Sequence, residues 1–403
     1  MKLRNWPRKS VLVCGIISFL AGGTAAAQSA SARSPAIVLV DGADAAQWRT
    51  WTKDLGWQVI APAGPEGRPD ANANIDVRVE AMASAVEAAI RNSGVDPARV
   101  YLVGRGGAAA VVFYAISRVP DLWAAGIALG GSPKPAVDTN RLFTANFTNA
   151  PVLWIGESGD QALAEKLKSA GLNLEWRLAK STTNGDVFEW LAGHQRDEFP
   201  AAIDCETNSP TFASCYWIRM AKFDPNERND VLPSTRVAGG SGAALDLGAF
   251  GYDATDTGPG VLVSHLPEKY SGPLKMGDRI VALDGKPIQD ARQYGETMEQ
   301  IVEEKPVVAL VQRGKERIRV ETRVVLPKRD SAVTARVQAQ YSPAEKEIQI
   351  ISRTVTEMRV TVPPAWTPAT LYWNGLSLQD LKTPGCYVLT VEKELLHASP
   401  CEN

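Results

Sequence analysis

Val100–Arg118, VYLVGRGGAAAVVFYAISR, holds three signals in nineteen consecutive residues. Val100 to Val103 is uninterruptedly apolar, as a strand covered on both faces requires. Gly104, Gly106 and Gly107 surround Arg105 in a turn, where glycine permits a left-handed backbone and close approach of two backbone segments. Ala109 to Arg118 follows without a breaker and is almost wholly small or apolar, the composition of a helix packed flat on a sheet. A buried strand turning directly into a buried helix is half of a βαβ unit, and such units build parallel sheets with helices on both faces.

The same alternation runs outward in both directions. Strands are expected at Ala36 to Val40, Gln58 to Ala61, Gly126 to Leu129, Val152 to Ile155 and Leu174 to Leu178. Helices are expected at Val77 to Asn92, Gln161 to Ala170 and Val187 to Arg196. In the first helix Val79, Met82, Val86 and Ile90 recur at helical spacing, so one face is apolar. Residues 34–200 therefore read as an α/β domain with a doubly wound, mainly parallel sheet.

Beyond Pro200 the hydrophobic period shortens to two. CYWIRMAKF (215–223) reads as one strand and DPNERNDVLPST (224–235) as a polar linker. Residues 241–329 read as a separate module: several strands, a helix at Ala291 to Ile301, and two closing strands around the QRGKE turn. Residues 330–403 are again strand and turn, a β-sandwich-like segment whose partner is the 215–223 strand, so that 201–240 and 330–403 form one β-rich domain interrupted by the middle module. Trp366, Tyr372 and Trp373 would there line either a sugar-binding face or, more commonly, the core.

Gly104, Arg105, Gly106, Gly107 and Ala108 stand at the five positions of G-x-S-x-G, the sharp strand-to-helix turn that exposes a nucleophile. On these residues, and over roughly residues 35–200, the first domain resembles the α/β-hydrolase superfamily, in particular its secreted esterase and prolyl-peptidase-like branch. The resemblance implies a serine at position 106, where this protein has glycine. It places an oxyanion loop, usually His-Gly-Gly, at PAIVLVDGADA (35–45), with Asp41 in the histidine's place and Gly42 at the first glycine. It carries the catalytic acid onto Asp160 and puts Asn184 where the histidine usually stands. Two of three triad members are thus absent, and a carboxylate at position 41 would oppose a developing oxyanion. Removing the nucleophile alone costs about six decades of rate in a protease where this was dissected. No intact catalytic site is expected.

Substitutes are scarce. Of three histidines only His194 falls in this domain, two to three helical turns beyond Asn184. Ser132 and Ser158 follow strands but have neither the elbow pattern nor a base nearby in sequence. Arg105, on the rim of the turn, is a candidate site for a carboxylate or phosphate, with a surface ion pair to Asp41 or Asp160 as the alternative.

LKMGDRIVALDGKPI (274–288) sets Gly277 and Asp278 to turn into a strand, Ile280 and Leu283 to fill a core, and Asp284-Gly285 to close a hairpin. On this motif, Leu247 to Leu326 resembles a PDZ domain of the bacterial protease type. Such domains add a peptide C-terminus as a strand beside an exposed edge and hold its carboxylate on consecutive loop amides. The resemblance assigns the loop to Gly248, Ala249, Phe250 and Gly251, the edge strand to a segment including Val261 and Val263, and the facing helix to Ala291, Tyr294 and Met298. The insertion YDATDTGP (252–259) between loop and strand departs from the pattern, and a closed module that binds nothing is the alternative.

At the N-terminus Lys2, Arg4, Arg8 and Lys9 precede an apolar run and the small-residue stretch TAAAQSA, the layout of a secretory signal peptide over residues 1–27, cleaved after Ala27. The run is short for a bilayer span, so no membrane segment is expected after cleavage. Loss of those four basic residues takes the formal charge from −2 to −6. No basic face for nucleic acid is implied. Cys205 with Cys215 and Cys386 with Cys401 form local pairs, read as disulfides of a periplasmic or secreted protein. No metal site and no cofactor are expected, and the sequence does not specify an oligomeric state.

Three functions remain open. The favoured one is an exported, non-catalytic hydrolase-like protein whose PDZ-like module binds peptides or protein C-termini in the envelope. The others are a serine-type esterase or peptidase with an atypical site, and an envelope-assembly component with a closed groove.

Overall fold

In the computed structural model, which describes residues 33–61, 75–227, 231–237, 242–253, 256–326 and 333–402, the alternating side chains of β1 (Ser34–Leu39) enter two different cores. The leader expected over residues 1–27 lies outside the described residues, as do parts of the 224–235 linker and of the 252–259 insertion. Ala36 and Val38 join one apolar cluster, Ile37 and Leu39 another, as the two-residue period of a strand dictates. Five further strands extend the sheet: β2 (Gln58–Ile60), β3 (Val95–Arg105), β4 (Ala125–Leu129), β5 (Val152–Gly156) and β6 (Leu174–Leu178). Their order is β2-β1-β3-β4-β5-β6, and every pairing is parallel.

The helices are α1 (Ala45–Thr52), α2 (Ile75–Asn92), α3 (Ala109–Arg118), α4 (Lys134–Asp138), α5 (Gln161–Ser169) and α6 (Asn184–Ala192). α2, α3 and α5 cover one face of the sheet, and α1 and α6 cover the other. All ten residues of α3 are buried, which explains why its sequence has no polar stripe. α1 and α4 were not legible in the sequence; α1 fully buries only Ala45, Trp48 and Thr52, too narrow a stripe to give a period. α6 starts at Asn184 rather than Val187, because Thr183 and Asp186 form a capping box just ahead of it. It ends at Ala192, so His194 lies beyond the helix. Strand order reverses between β1 and β3, and in doubly wound sheets the crevice outside the strand ends opens at such a point.

The polypeptide runs on through β7 (Ala202–Thr207), β8 (Ser214–Cys215) and β9 (Ile218–Phe223). The single strand expected over 215–223 is instead a hairpin, since Tyr216 takes a positive φ of 53° between β8 and β9. A seven-stranded sheet follows: β10 (Ala244–Leu245), β11 (Gly251–Tyr252), β12 (Val261–His265), β13 (Arg279–Leu283), β14 (Lys286–Pro287), β15 (Lys305–Arg313) and β16 (Glu316–Val325), with α7 (Ala291–Glu299) against it. Ile280, Leu283, Tyr294 and Met298 meet in its core. Asp278 is buried beneath it, accepting from the Lys275 amide (2.7 Å) and from two nitrogens of Arg313 (2.9 and 2.7 Å). Burial opposes its charge, but the Arg313 and Lys275 hydrogen bonds outweigh that and hold the carboxyl below its ordinary range.

The last strands are β17 (Ala335–Ser342), β18 (Glu347–Arg353), β19 (Val355–Val362), β20 (Ala369–Trp373), β21 (Leu376–Leu381), β22 (Gly385–Glu392) and β23 (Leu395–Pro400). They form two five-stranded sheets, β21-β20-β18-β17-β7 and β23-β22-β19-β9-β8, around one shared core. Trp366 stacks on Tyr341 with ring centroids 4.5 Å apart, and Trp373 is buried, donating to Ser352 Oγ (2.8 Å). Trp366 and Trp373 are core, while half-buried Tyr372 alternates with Trp373 along β20 and so points to the other side of the sheet; the three do not form one sugar-binding face. A Cys205–Cys215 disulfide joins β7 of one sheet to β8 of the other, and Cys386–Cys401 ties β22 to the residue after β23. In the chain-entropy model, loops of this size contribute on the order of 3 kcal/mol each.

A buried polar hub fastens the layers. Glu206 on β7 accepts from Ser234 Oγ (2.5 Å), the Thr235 amide (2.6 Å), Thr235 Oγ1 (2.8 Å), the Thr334 hydroxyl and Arg353 Nη2 (3.1 Å). Arg353 also donates to the Leu232 carbonyl (2.7 Å). The Glu206 backbone is in turn clamped by Asn146 of the parallel-sheet layer: its amide donates to Oδ1 (2.7 Å) and its carbonyl accepts from Nδ2 (2.9 Å).

Candidate functional site

Two places carry the residues singled out above. The first is the carboxyl end of β1 and β3. Gly106 has φ +56°, and a side chain built on it would meet nothing within 4 Å. Two backbones pinch the turn on either side. A Cβ at Gly104 would lie 2.4 Å from the Ala108 carbonyl oxygen, and one at Gly131 would lie 2.0 Å from the Gly106 carbonyl oxygen. The turn therefore keeps the strained shape that presents a side chain to the crevice, with room for that side chain, and has only hydrogen there.

None of the described residues singled out above supplies the missing chemistry. Asp160 accepts from the Glu157 amide (2.8 Å) in a capping box of its own turn. Asn184 is the exposed first residue of α6, its turn held by Thr183 and Asp186. Asp41 accepts from the Ala43 amide (3.0 Å), capping the short helical turn that follows. Ser132 Oγ accepts from the Lys134 amide (3.2 Å), and Ser158 is exposed. His194 is partly buried at the other end of the sheet. Its Nδ1 is 2.7 Å from the Trp190 carbonyl, its ring lies against Trp190, and its carbonyl accepts from Tyr101. Two residues on, the Arg196 amide donates to Ala98 (2.8 Å). From Ala98 to Gly106 is eight residues, ~26 Å of extended strand.

Arg105 pairs with neither Asp41 nor Asp160. Its Nε lies 2.7 Å from Asp44 Oδ2, with about half of its side chain exposed. Together with Leu39, Asp41, Trp48 and Val103 the pair lines a cavity of only about 150 Å³. An anion there would have to displace Asp44; the ion-pair alternative is the one found, with Asp44 as partner in place of Asp41 or Asp160. Asp44 escaped notice because nothing local marks it; the ion pair exists only because the ends of β1 and β3 are adjacent.

The second place lies between the 247–252 loop and α7. Gly248, Ala249 and Phe250 line a cavity of about 330 Å³ together with Tyr252, Tyr294 and Met298. Gly248 has φ +77°, and Tyr270 packs behind it while donating to the Leu247 carbonyl. Among the described residues, no hydrogen bond engages the amides of Gly248, Ala249 and Phe250. β11, directly after this loop, is the edge of the seven-stranded sheet. Here the expectation for Val261 and Val263 is corrected. They belong to β12, flanked by β11 and β13, and are buried in the core at 0% and 1% exposure. β11 pairs with β12 and takes the outermost place in the sheet. Ala291 is buried and does not line the cavity, whereas Tyr294 and Met298, though largely buried in the core, also border it. Burial raises the Tyr294 phenol far above its ordinary range, and the neighbouring Tyr252 adds to the effect. The Tyr252 ring packs edge-on against that of Tyr294, with centroids 5.6 Å apart, and both residues line the cavity.

Among the described residues no cluster of three or more His, Cys, Asp or Glu side chains has metal-binding geometry. No helix among them is long and apolar enough to cross a membrane. No protein-family model matches the sequence, and no curated protein matches it. Among solved structures it is similar to esterase PE8, at 18% identity and a TM-score of 0.30, over 40% of this chain and 92% of that one. A thermostable esterase aligns at 16% identity and a TM-score of 0.32, over 41% of this chain and 56% of its own. SOBER1 of Arabidopsis thaliana aligns at 15% identity and a TM-score of 0.29, over 40% and 97%.

Proposed function

We propose that this protein is an exported, non-catalytic binding protein, an α/β-hydrolase-like domain without a nucleophile joined to a PDZ-like module that takes peptide C-termini. The observation that carries the reading is the loop of three open amides, Gly248 to Phe250, at the head of a cavity beside the edge strand β11. Consecutive amides of that kind neutralise a carboxylate, and an unpaired edge accepts an added strand. The N-terminal pattern and the two disulfides support export. The absence of a side chain at Gly106, with Asp160 engaged in its own turn and His194 at the far end of the sheet, supports the lack of catalysis.

Fluorescein-labelled decapeptides randomised over their last four positions test the binding half by fluorescence polarisation with the full-length protein. Free-acid peptides with apolar last residues are expected to bind with micromolar dissociation constants, about −8 kcal/mol, and their C-terminal amides to bind at least tenfold more weakly. Equal binding of acids and amides would overturn the reading. The catalytic half is tested by incubating the protein with a fluorophosphonate and measuring intact mass. No adduct is expected, and a stoichiometric one would reveal an activated serine.

A further inference from the structure

The cavity beneath the 248–250 loop is not built by the seven-stranded sheet alone. Lys134 and Asp138, both on α4 of the parallel-sheet layer, form part of its wall. Lys134 Nζ lies 3.1 Å from Glu299 Oε1, on the last residue of α7, and 3.4 Å from Asp138 Oδ2. We propose that Lys134 is the cation that receives the carboxylate of a peptide held on the 248–250 amides, and that Glu299 is the resident carboxylate it must leave. The proposal rests on the groove reading above and adds to it a residue from a different layer of the molecule.

Three observations support it. First, Gly248, Ala249, Phe250 and Lys134 line the same cavity of about 330 Å³, which places the loop near a flexible lysine stem. Second, the ammonium keeps its charge: burial works against it, but Asp138 and Glu299 more than offset that and raise its pKa. Third, the lysine has room to move. Lys134, Asp138 and Glu299 also border an adjoining cavity of about 490 Å³ with largely apolar walls, and 43% of the Lys134 side chain is exposed.

Charge sets the sign of each effect. One ammonium between two carboxylates leaves this wall with a net charge of −1, which repels an incoming carboxylate until Lys134 turns to it. Removing the lysine leaves −2 and no cationic donor for the ligand. Neutralising Glu299 removes both the competitor and the repulsion. The two substitutions are therefore expected to act in opposite directions.

The test uses the full-length protein and the tightest free-acid decapeptide from the library described above, with its C-terminal amide as control. Lys134→Ala is expected to weaken free-acid binding roughly five- to tenfold and Glu299→Gln to tighten it about threefold. Lys134→Arg is expected to retain most of the affinity, and the amide to be insensitive to all three changes. Unfolding midpoints of the variants establish that each is folded. If the free acid binds wild type and Lys134→Ala equally, Lys134 has no such role while the groove reading stands. If Glu299→Gln weakens binding, the competitor role is wrong. If no peptide binds wild type, the groove reading falls and this inference with it.

Discussion

Glu206→Ala is expected to destabilise the protein by about 3–5 kcal/mol, because it strands a buried arginine. The Glu206 side chain is wholly buried and that of Arg353 is 7% exposed, so neither has water to fall back on. Truncation also leaves the Ser234 and Thr334 hydroxyls and the Thr235 amide without their acceptor. A buried donor without a partner costs about 1–3 kcal/mol, more when charged. The effect should not be local. Glu206 sits on β7, Arg353 on β18, and residues 232–235 on the segment leading to the seven-stranded sheet, so losing the hub loosens several layers together. Urea and thermal midpoints should both fall. The pair itself is not required for stability: Glu206→Met combined with Arg353→Met removes both charges and should recover much of the loss. A double variant as unstable as Glu206→Ala would show that the hydrogen bonds to 232–235 and Thr334, and not the stranded charge, dominate.

Gly131→Ala should cost about 2–5 kcal/mol, while Gly107→Ala, in the turn it packs against, should change stability by no more than about 0.5 kcal/mol. At Gly131 a methyl group would lie 2.0 Å from the Gly106 carbonyl oxygen, with φ at +69°. A left-handed backbone adds roughly 1–2 kcal/mol for a residue bearing Cβ. The segment cannot simply swing away, since Trp154 Nε1 donates to the Gly131 carbonyl (3.1 Å) and the Gly130 amide donates to Ile155 (2.7 Å). At Gly107 a methyl group would meet nothing within 4 Å. Equal unfolding midpoints for the two variants would mean that β4 does not clamp the elbow as described. The contrast matters for function because that clamp holds position 106 at its positive φ even though no side chain there uses it.

Much of the molecule was readable from periodicity. α3 and β6 were located to the residue, and the other strands of the parallel sheet except β3 to within two residues, because their apolar runs are continuous and glycine turns separate them; β3 starts five residues before its apolar run, at Val95. The local cysteine pairs were equally plain, since spacings of 10 and 15 residues leave few other pairings. Short elements with narrow buried stripes, α1 above all, were not readable. Neither was the hairpin inside 215–223, where a single tyrosine with positive φ interrupts an otherwise strand-like run.

What the sequence determined by itself is what depends on neighbours along the backbone: the βαβ alternation, the glycine elbow, and the absence of a hydroxyl at position 106. The tertiary structure alone decided which distant groups meet. It paired Arg105 with Asp44 and not with Asp41 or Asp160, sent His194 to the far end of the sheet, moved the open edge from β12 to β11, and brought Lys134 beside Glu299. Charge pairs and cavity walls form between segments adjacent in space, and no local pattern records which segments those will be.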